Sequence, residues 1–378
     1  MNPSHATPFL ALVAAGVLLS LSVAGCGSPS PELPAEIEAF GITVETARLS
    51  PTLRLFNFPE YMDPELLRQF EERFGTRIIE DYFDTNEAMM ARLTAGGTAQ
   101  FDLVMASDYA VEILAAAGRL EPLDPTLLPN RANLHPSFGS PPYDPENRFA
   151  IPFQWGTTGL GIRGDRVQGN PDELATWGLL FDAAKSPGRF AFLDDPRETI
   201  GAALLYLGYS VNSTDDAELA AAEAVLTVAA GRAVAFTPAS TGRDLLLAGE
   251  LDVSHNHSGE ITVAGEERPE ILYLVPREGA VVWADNLVIP AGAAGAYTAH
   301  VFVNFLLDAQ NGARLTEEVR YFSPNLASWE LLDPVLRAEH ERLLEPGAME
   351  GLEFIADVGP DRRKYDQLWT RVKAGSAR

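Results

Sequence analysis

A chain of 378 residues with 53 Asp and Glu against 28 Lys and Arg carries a formal net charge of −25. Such a surface repels polyphosphates, which excludes nucleic acid as a partner, and it favours solubility and draws in cations. With one cysteine there is no C-x-x-C pair, and G-x-S-x-G, G-x-x-x-x-G-K-[ST] and H-E-x-x-H are all absent, so the common hydrolase, nucleotide and metalloprotease signatures are missing.

In chain order, residues 1–25 contain no Lys, Arg, Asp or Glu, and Phe9 to Val23 form an apolar run too short to span a bilayer comfortably. The run matches the apolar region of a secretory signal, although the segment before it offers only His5 and the terminal amine as positive groups. It ends at Val23-Ala24-Gly25-Cys26, where small residues precede the lone cysteine, a pattern that resembles the lipobox of bacterial lipoproteins. Cys26 is therefore expected to carry a lipid that anchors a secreted protein to the membrane, on the periplasmic or other extracytoplasmic side. Residues 26–51, rich in Pro, Ser and Glu, are expected to form a flexible tether.

Folding is expected to begin at Thr52, and the remaining stretch of about 325 residues exceeds one ordinary core and predicts two lobes. Leu53–Asn57 reads as a strand, and Asp63–Phe74 as a helix with an apolar face closed by Gly75. Arg77–Phe83 reads as strand, Asn86–Ala95 as helix, Asp102–Met105 as strand and Ser107–Ala117 as helix. This βαβαβ run predicts a parallel, doubly wound α/β sheet, in which ligands bind beyond the carboxyl ends of the strands. After a proline-rich loop, Ile151–Ile162 is an apolar segment carrying Trp155 and glycines 156, 159 and 161. A second α/β pattern then begins with the strand Arg189–Leu193 and the helix Pro196–Leu207. The remainder alternates further through the short strand Leu287–Ile289 and the helix Ala299–Leu307 to a largely helical carboxy-terminal part.

The segments leaving the strand ends set acids beside aromatics: Glu60 with Phe58 and Tyr61, Asp108 with Tyr109, and Trp283 with Asp285. That combination suits a flexible cation, because carboxylates hold ammonium groups by charge-assisted hydrogen bonds while aromatic faces cover methylenes and charge. Each acid also has a purely structural explanation. Asp195 and Glu198, with Pro196 between them, fit a helix cap, and Asp108 fits a helix amino terminus. His255, His257 and Glu260 can also be read as metal ligands, which would make the protein a metal-dependent surface enzyme.

Six segments in order resemble the spermidine/putrescine-binding proteins of ATP-driven importers: Asn57-Phe58-Pro59-Glu60-Tyr61, Phe101-Asp102-Leu103-Val104, Ile151-Pro152-Phe153-Gln154-Trp155-Gly156, Asp194-Asp195-Pro196-Arg197-Glu198, Trp283-Ala284-Asp285-Asn286-Leu287 and Ser323-Pro324-Asn325-Leu326. The resemblance implies a periplasmic-binding-protein fold of two α/β lobes that close on a polyamine and deliver it to a permease. It implies a small-molecule ligand and no catalysis, cofactor or metal, in a monomer. Its lobes would comprise 52–157 with about 286–320, and 158–285 with about 321–375. Glu60, Asp195, Glu198 and Asp285 would bind amines, and Phe58, Tyr61, Tyr109, Trp283 and Tyr321 would form the walls, with Asp108 and His257 beside them. Three positions depart from the family: Phe58 and His257 stand where Trp is usual, and Ile355 where Gln is usual, which leaves another small cationic or amine ligand on the same fold as the alternative to putrescine or spermidine. A histidine at the site is expected to weaken binding as it protonates near its ordinary pKa of about 6.5.

Overall fold

A computed structural model describes residues 33–96, 100–343 and 350–376 of the chain. The signal segment and Cys26 lie outside the described residues. Twelve strands are described: β1 (Glu36–Ala39), β2 (Ile42–Glu45), β3 (Thr52–Asn57), β4 (Arg77–Tyr82), β5 (Leu103–Ser107), β6 (Ala150–Arg163), β7 (Phe190–Leu193), β8 (Ala235–Thr237), β9 (Val253–His257), β10 (Ile271–Leu274), β11 (Ala280–Val288) and β12 (Leu352–Phe354). Strands β3 to β12 share one sheet whose main path runs β4-β3-β5-β11-β6-β9-β7-β8, with β10 pairing β6 and β12 pairing β11.

Two parallel clusters make up the flanks of this sheet. On one side β3 pairs in parallel with β4 and β5; on the other β7 pairs in parallel with β8 and β9. The antiparallel pair β6 and β11 joins them: β11 pairs β5 through Asp285–Val288, while β6 pairs β9 through Thr158–Ile162. All fourteen residues of β6 are buried, which explains why its sequence is largely apolar and lacks alternation. Register between β6 and β11 shifts at Asp285/Asn286, so the strand bends at the acid singled out in the sequence.

The helices form where local signals agree with burial. Pro64–Phe74 starts with the Asp63 side chain accepting from the Glu65 N–H and proline in its first turn. It buries Leu66, Phe70 and Phe74 and ends on Gly75 at φ 67°. Pro196–Tyr206 starts with Asp195 accepting from the N–H groups of Arg197 and Glu198, so the capping role expected of that acid is present. The carboxy-terminal helix Arg362–Ser376 packs on this region through Tyr365, Leu368 and Val372.

The expected tether needs correction. Residues 36–45 form a hairpin, β1 against β2, turning through Phe40 and Gly41, both at positive φ. Ala39, Ile42 and Val44 are buried, Phe40 meets Phe305 at 5.2 Å between ring centres, and the Asn304 amide donates to the Phe40 carbonyl at 2.8 Å. The hairpin therefore belongs to the folded body, fastened to the helix Ala296–Leu306. Ordered structure starts ahead of Thr52.

Candidate functional site

The carboxyl ends of β3, β5, β7 and β9 deliver Phe58–Tyr61, Asp108–Tyr109, Asp194–Asp195 and Ser258 toward the β6–β11 pair. At the centre lies Asp285. Its Oδ2 accepts from the Tyr61 hydroxyl at 3.0 Å and its Oδ1 from the Ser107 hydroxyl. Burial pushes the Asp285 carboxyl up to about 6, against the pull of those two hydroxyls.

A chain of carboxyls extends from there. Asp108 accepts from its neighbour Tyr109 N–H at 2.7 Å and from Ala284 N–H at 3.2 Å. Burial still raises it to about 8, with the charge of Asp285 adding to the rise. Glu198 is buried and raised well above the ordinary range by burial and by the charge of Asp195, with Thr158 hydrogen-bonding in partial compensation; its Oε2 has no partner. Asp195 is raised to about 7 by burial and then by Glu87, against the backbone N–H groups it caps and the charge of Arg197. Glu87 accepts from the Tyr109 hydroxyl at 3.0 Å, and its other oxygen is buried and unpartnered.

Arg197 is the cation whose field reaches Asp108, Asp195 and Glu198. Its two terminal nitrogens are committed to the Ala356 carbonyl at 3.2 Å and the Asn212 side chain at 2.9 Å. Five carboxyl groups at this site therefore face little internal positive charge.

Aromatic rings wall the same space. Tyr321 meets Tyr61 at 5.3 Å and Trp283 at 5.2 Å between centres, Phe58 meets Tyr61 at 5.8 Å, and His257 meets Trp283 at 5.5 Å. The Trp283 indole nitrogen is buried without a hydrogen-bond partner. Two glycines make room for these rings. A Cβ on Gly156 would stand 2.7 Å from Trp283, and one on Gly259 would stand 2.5 Å from Tyr321.

Phe58, Tyr61, Asp108, Tyr109, Asp195, Glu198, His257, Trp283, Asp285 and Tyr321 thus converge on one region. Glu60 differs: its carboxylate is held by Arg243, at 3.3 Å, and lies largely exposed. His257 also departs from expectation. Burial pushes it down to about 4, and its Nδ1 lies 3.0 Å from the Thr158 hydroxyl, so it stays neutral through the range where an exposed histidine titrates. The metal alternative loses its geometry, because His255 faces Thr199 and Trp177 while Glu260 pairs with Arg243. Among the described residues no group of three or more His, Cys, Asp or Glu side chains is placed to hold a metal ion.

Sequence reasoning missed Glu87, Ser107 and Arg243. Glu87 begins a helix and Ser107 ends a strand, each far in sequence from its partner, so only the fold brings Glu87 to Tyr109 and Ser107 to Asp285.

Known proteins resemble this chain over most of its length. The family model for bacterial extracellular solute-binding proteins matches residues 65–340. The chain is 32% identical over 339 residues to the spermidine/putrescine-binding periplasmic protein of Escherichia coli strain K12, covering 89% of this chain and 96% of that protein. It is 31% identical to a putrescine/cadaverine-binding protein of Pseudomonas aeruginosa, covering 86% of this chain and 95% of the relative. Among solved structures it is similar to the spermidine/putrescine transporter substrate-binding protein PotD from Streptococcus pneumoniae. There the TM-score is 0.72 and the identity 30%, over 86% of this chain and all of the other.

Proposed function

The chain belongs to the bacterial extracellular solute-binding proteins, and from that premise we propose that it captures a polyamine outside the cytoplasm and presents it to the permease of an ATP-driven importer. The observation that carries this is the run of carboxyls, with Asp108, Glu198 and Asp285 buried and Glu87 and Asp195 half-buried, beside the rings of Tyr61, Trp283 and Tyr321. Burying acids with so little internal countercharge is costly, and a ligand carrying two or more ammonium groups removes that cost. The proteins named for spermidine, putrescine and cadaverine among its relatives support the same ligand class.

In this mechanism the ligand threads along the aromatic walls. One ammonium is held by Asp285 and another by the Glu198, Asp195 and Asp108 group, with methylenes against Trp283 and Tyr321. The lobes, bounded as the resemblance implies but with the hairpin 36–45 added to the first, close by bending of β6 and β11. Binding is the whole act and no bond is made or broken. Cys26 carries the lipid that keeps the monomer at the membrane surface.

The test is a tryptophan-fluorescence and thermal-melt screen of the purified protein with putrescine, cadaverine, spermidine, glycine and zinc. Saturable quenching and a raised Tm with polyamines alone are expected, since Trp283 lines the site. A response to glycine or zinc and none to polyamines would contradict the proposal.

A further inference from the structure

Arg243, on the helix Ala239–Ala248, is mostly buried, and its guanidinium lies between Glu260 at 2.8 Å and Glu60 at 3.3 Å, with its exposed neighbour Asp244 at 3.0 Å. Glu60 and Glu260 come from opposite flanks of the sheet. Glu60 follows β3, and Glu260 sits in the first turn of the helix Ser258–Glu267 that follows β9. Each is also the chain neighbour of a residue that touches Tyr321. Tyr61 meets that ring at 5.3 Å, and Gly259 lies so close beneath it that a Cβ there would come within 2.5 Å. The ion pair therefore closes one end of the aromatic wall that leads through Tyr61 to Asp285.

We infer that Arg243 sets the length of ligand the site accepts. Its guanidinium occupies the acid pair at this end, where the additional ammonium of a longer polyamine would otherwise be held. The native protein then takes a diamine and disfavours spermidine. Arginine stays charged throughout the accessible pH range and its planar fork suits two carboxylates at once, so an incoming ammonium would have to displace a guanidinium already paired with both acids. Removing the guanidinium leaves Glu60 and Glu260 facing each other across the cleft with no cation between them, a ready site for a third ammonium. The inference rests on the polyamine function proposed above and adds the size class of the ligand.

The test is calorimetric titration of the wild-type, Arg243→Ala and Arg243→Lys proteins with putrescine and with spermidine. Wild type is expected to bind putrescine at least about tenfold tighter than spermidine. Arg243→Ala is expected to gain about tenfold or more for spermidine with little change for putrescine, and Arg243→Lys to keep the wild-type ratio. If the ratio is the same in wild type and Arg243→Ala, the inference is overturned, and an equal fall for both ligands would make Arg243 a clasp between the flanks instead. Should Arg243→Ala fail to fold, Glu60→Gln gives the same decision: it leaves Arg243 less neutralised and is expected to weaken spermidine more than putrescine, and an equal effect on both overturns the inference. Absence of polyamine binding by the wild-type protein would instead overturn the proposed function itself, and the inference with it.

Discussion

Asp285 shows what a single carboxylate gains and loses at this site. Two hydroxyls hold its oxygens, yet burial keeps its pKa at about 6, and Asp108 and Asp195 are held at about 8 and 7. Near neutral pH these groups are partly protonated, while a bound ammonium needs them ionised. Polyamine binding is therefore expected to release protons, and affinity to rise between about pH 5.5 and 8.5. Calorimetry in buffers of different ionisation enthalpy reads this directly, and a pH-independent affinity would contradict it. Asp285→Asn is expected to weaken putrescine by about 2–5 kcal/mol, because the ammonium loses its charged partner. Asp285 and Trp283 were legible in the sequence because acid and aromatic stand two positions apart. Glu87 was not, since its partner Tyr109 lies 22 positions away.

At the scale of elements, the strand ends carry the site and glycines give the rings their place. Gly156 in β6 lies under Trp283, so Gly156→Ala is expected to force the indole aside, lowering stability by about 1–3 kcal/mol and weakening polyamine binding. Melting and titration of the variant check both, and wild-type values would show that the contact is slack. The βαβαβ order and the capped helices were readable because period, caps and turn residues agreed there. The hairpin 36–45 was hidden. Its strands are four residues each, and Pro, Ser and Glu around them look like linker, although Ile42 and Val44 alternate with Thr43 and Glu45. The length of β6 was equally hard to read, since burial on both faces erases the alternation that marks a strand.

For the whole molecule, acids held protonated by burial make stability depend on pH in an unusual direction. Above about pH 6.5 the native state retains protons on Asp108 and Asp195 that the unfolded chain has released, so ligand-free stability should fall as pH rises toward about 8.5. Below that range His255 and His257, pushed down to about 3 and about 4 by burial, act in the opposite sense, because there the unfolded chain binds the protons. Melting curves across this window test the sign, and saturating putrescine should flatten the alkaline fall by stabilising the ionised acids. In the two-flank architecture β6 and β11 are common to both flanks, so the proposed capture of a ligand would bend these two strands. The central claim, polyamine capture by this cleft, is tested most directly by calorimetric titration of the wild-type and Asp285→Asn proteins with putrescine. One-to-one binding by the wild type with proton release, and binding weakened by about 30-fold or more in Asp285→Asn, is the expected result. Equal affinity in the two proteins, or no binding by the wild type, would contradict it.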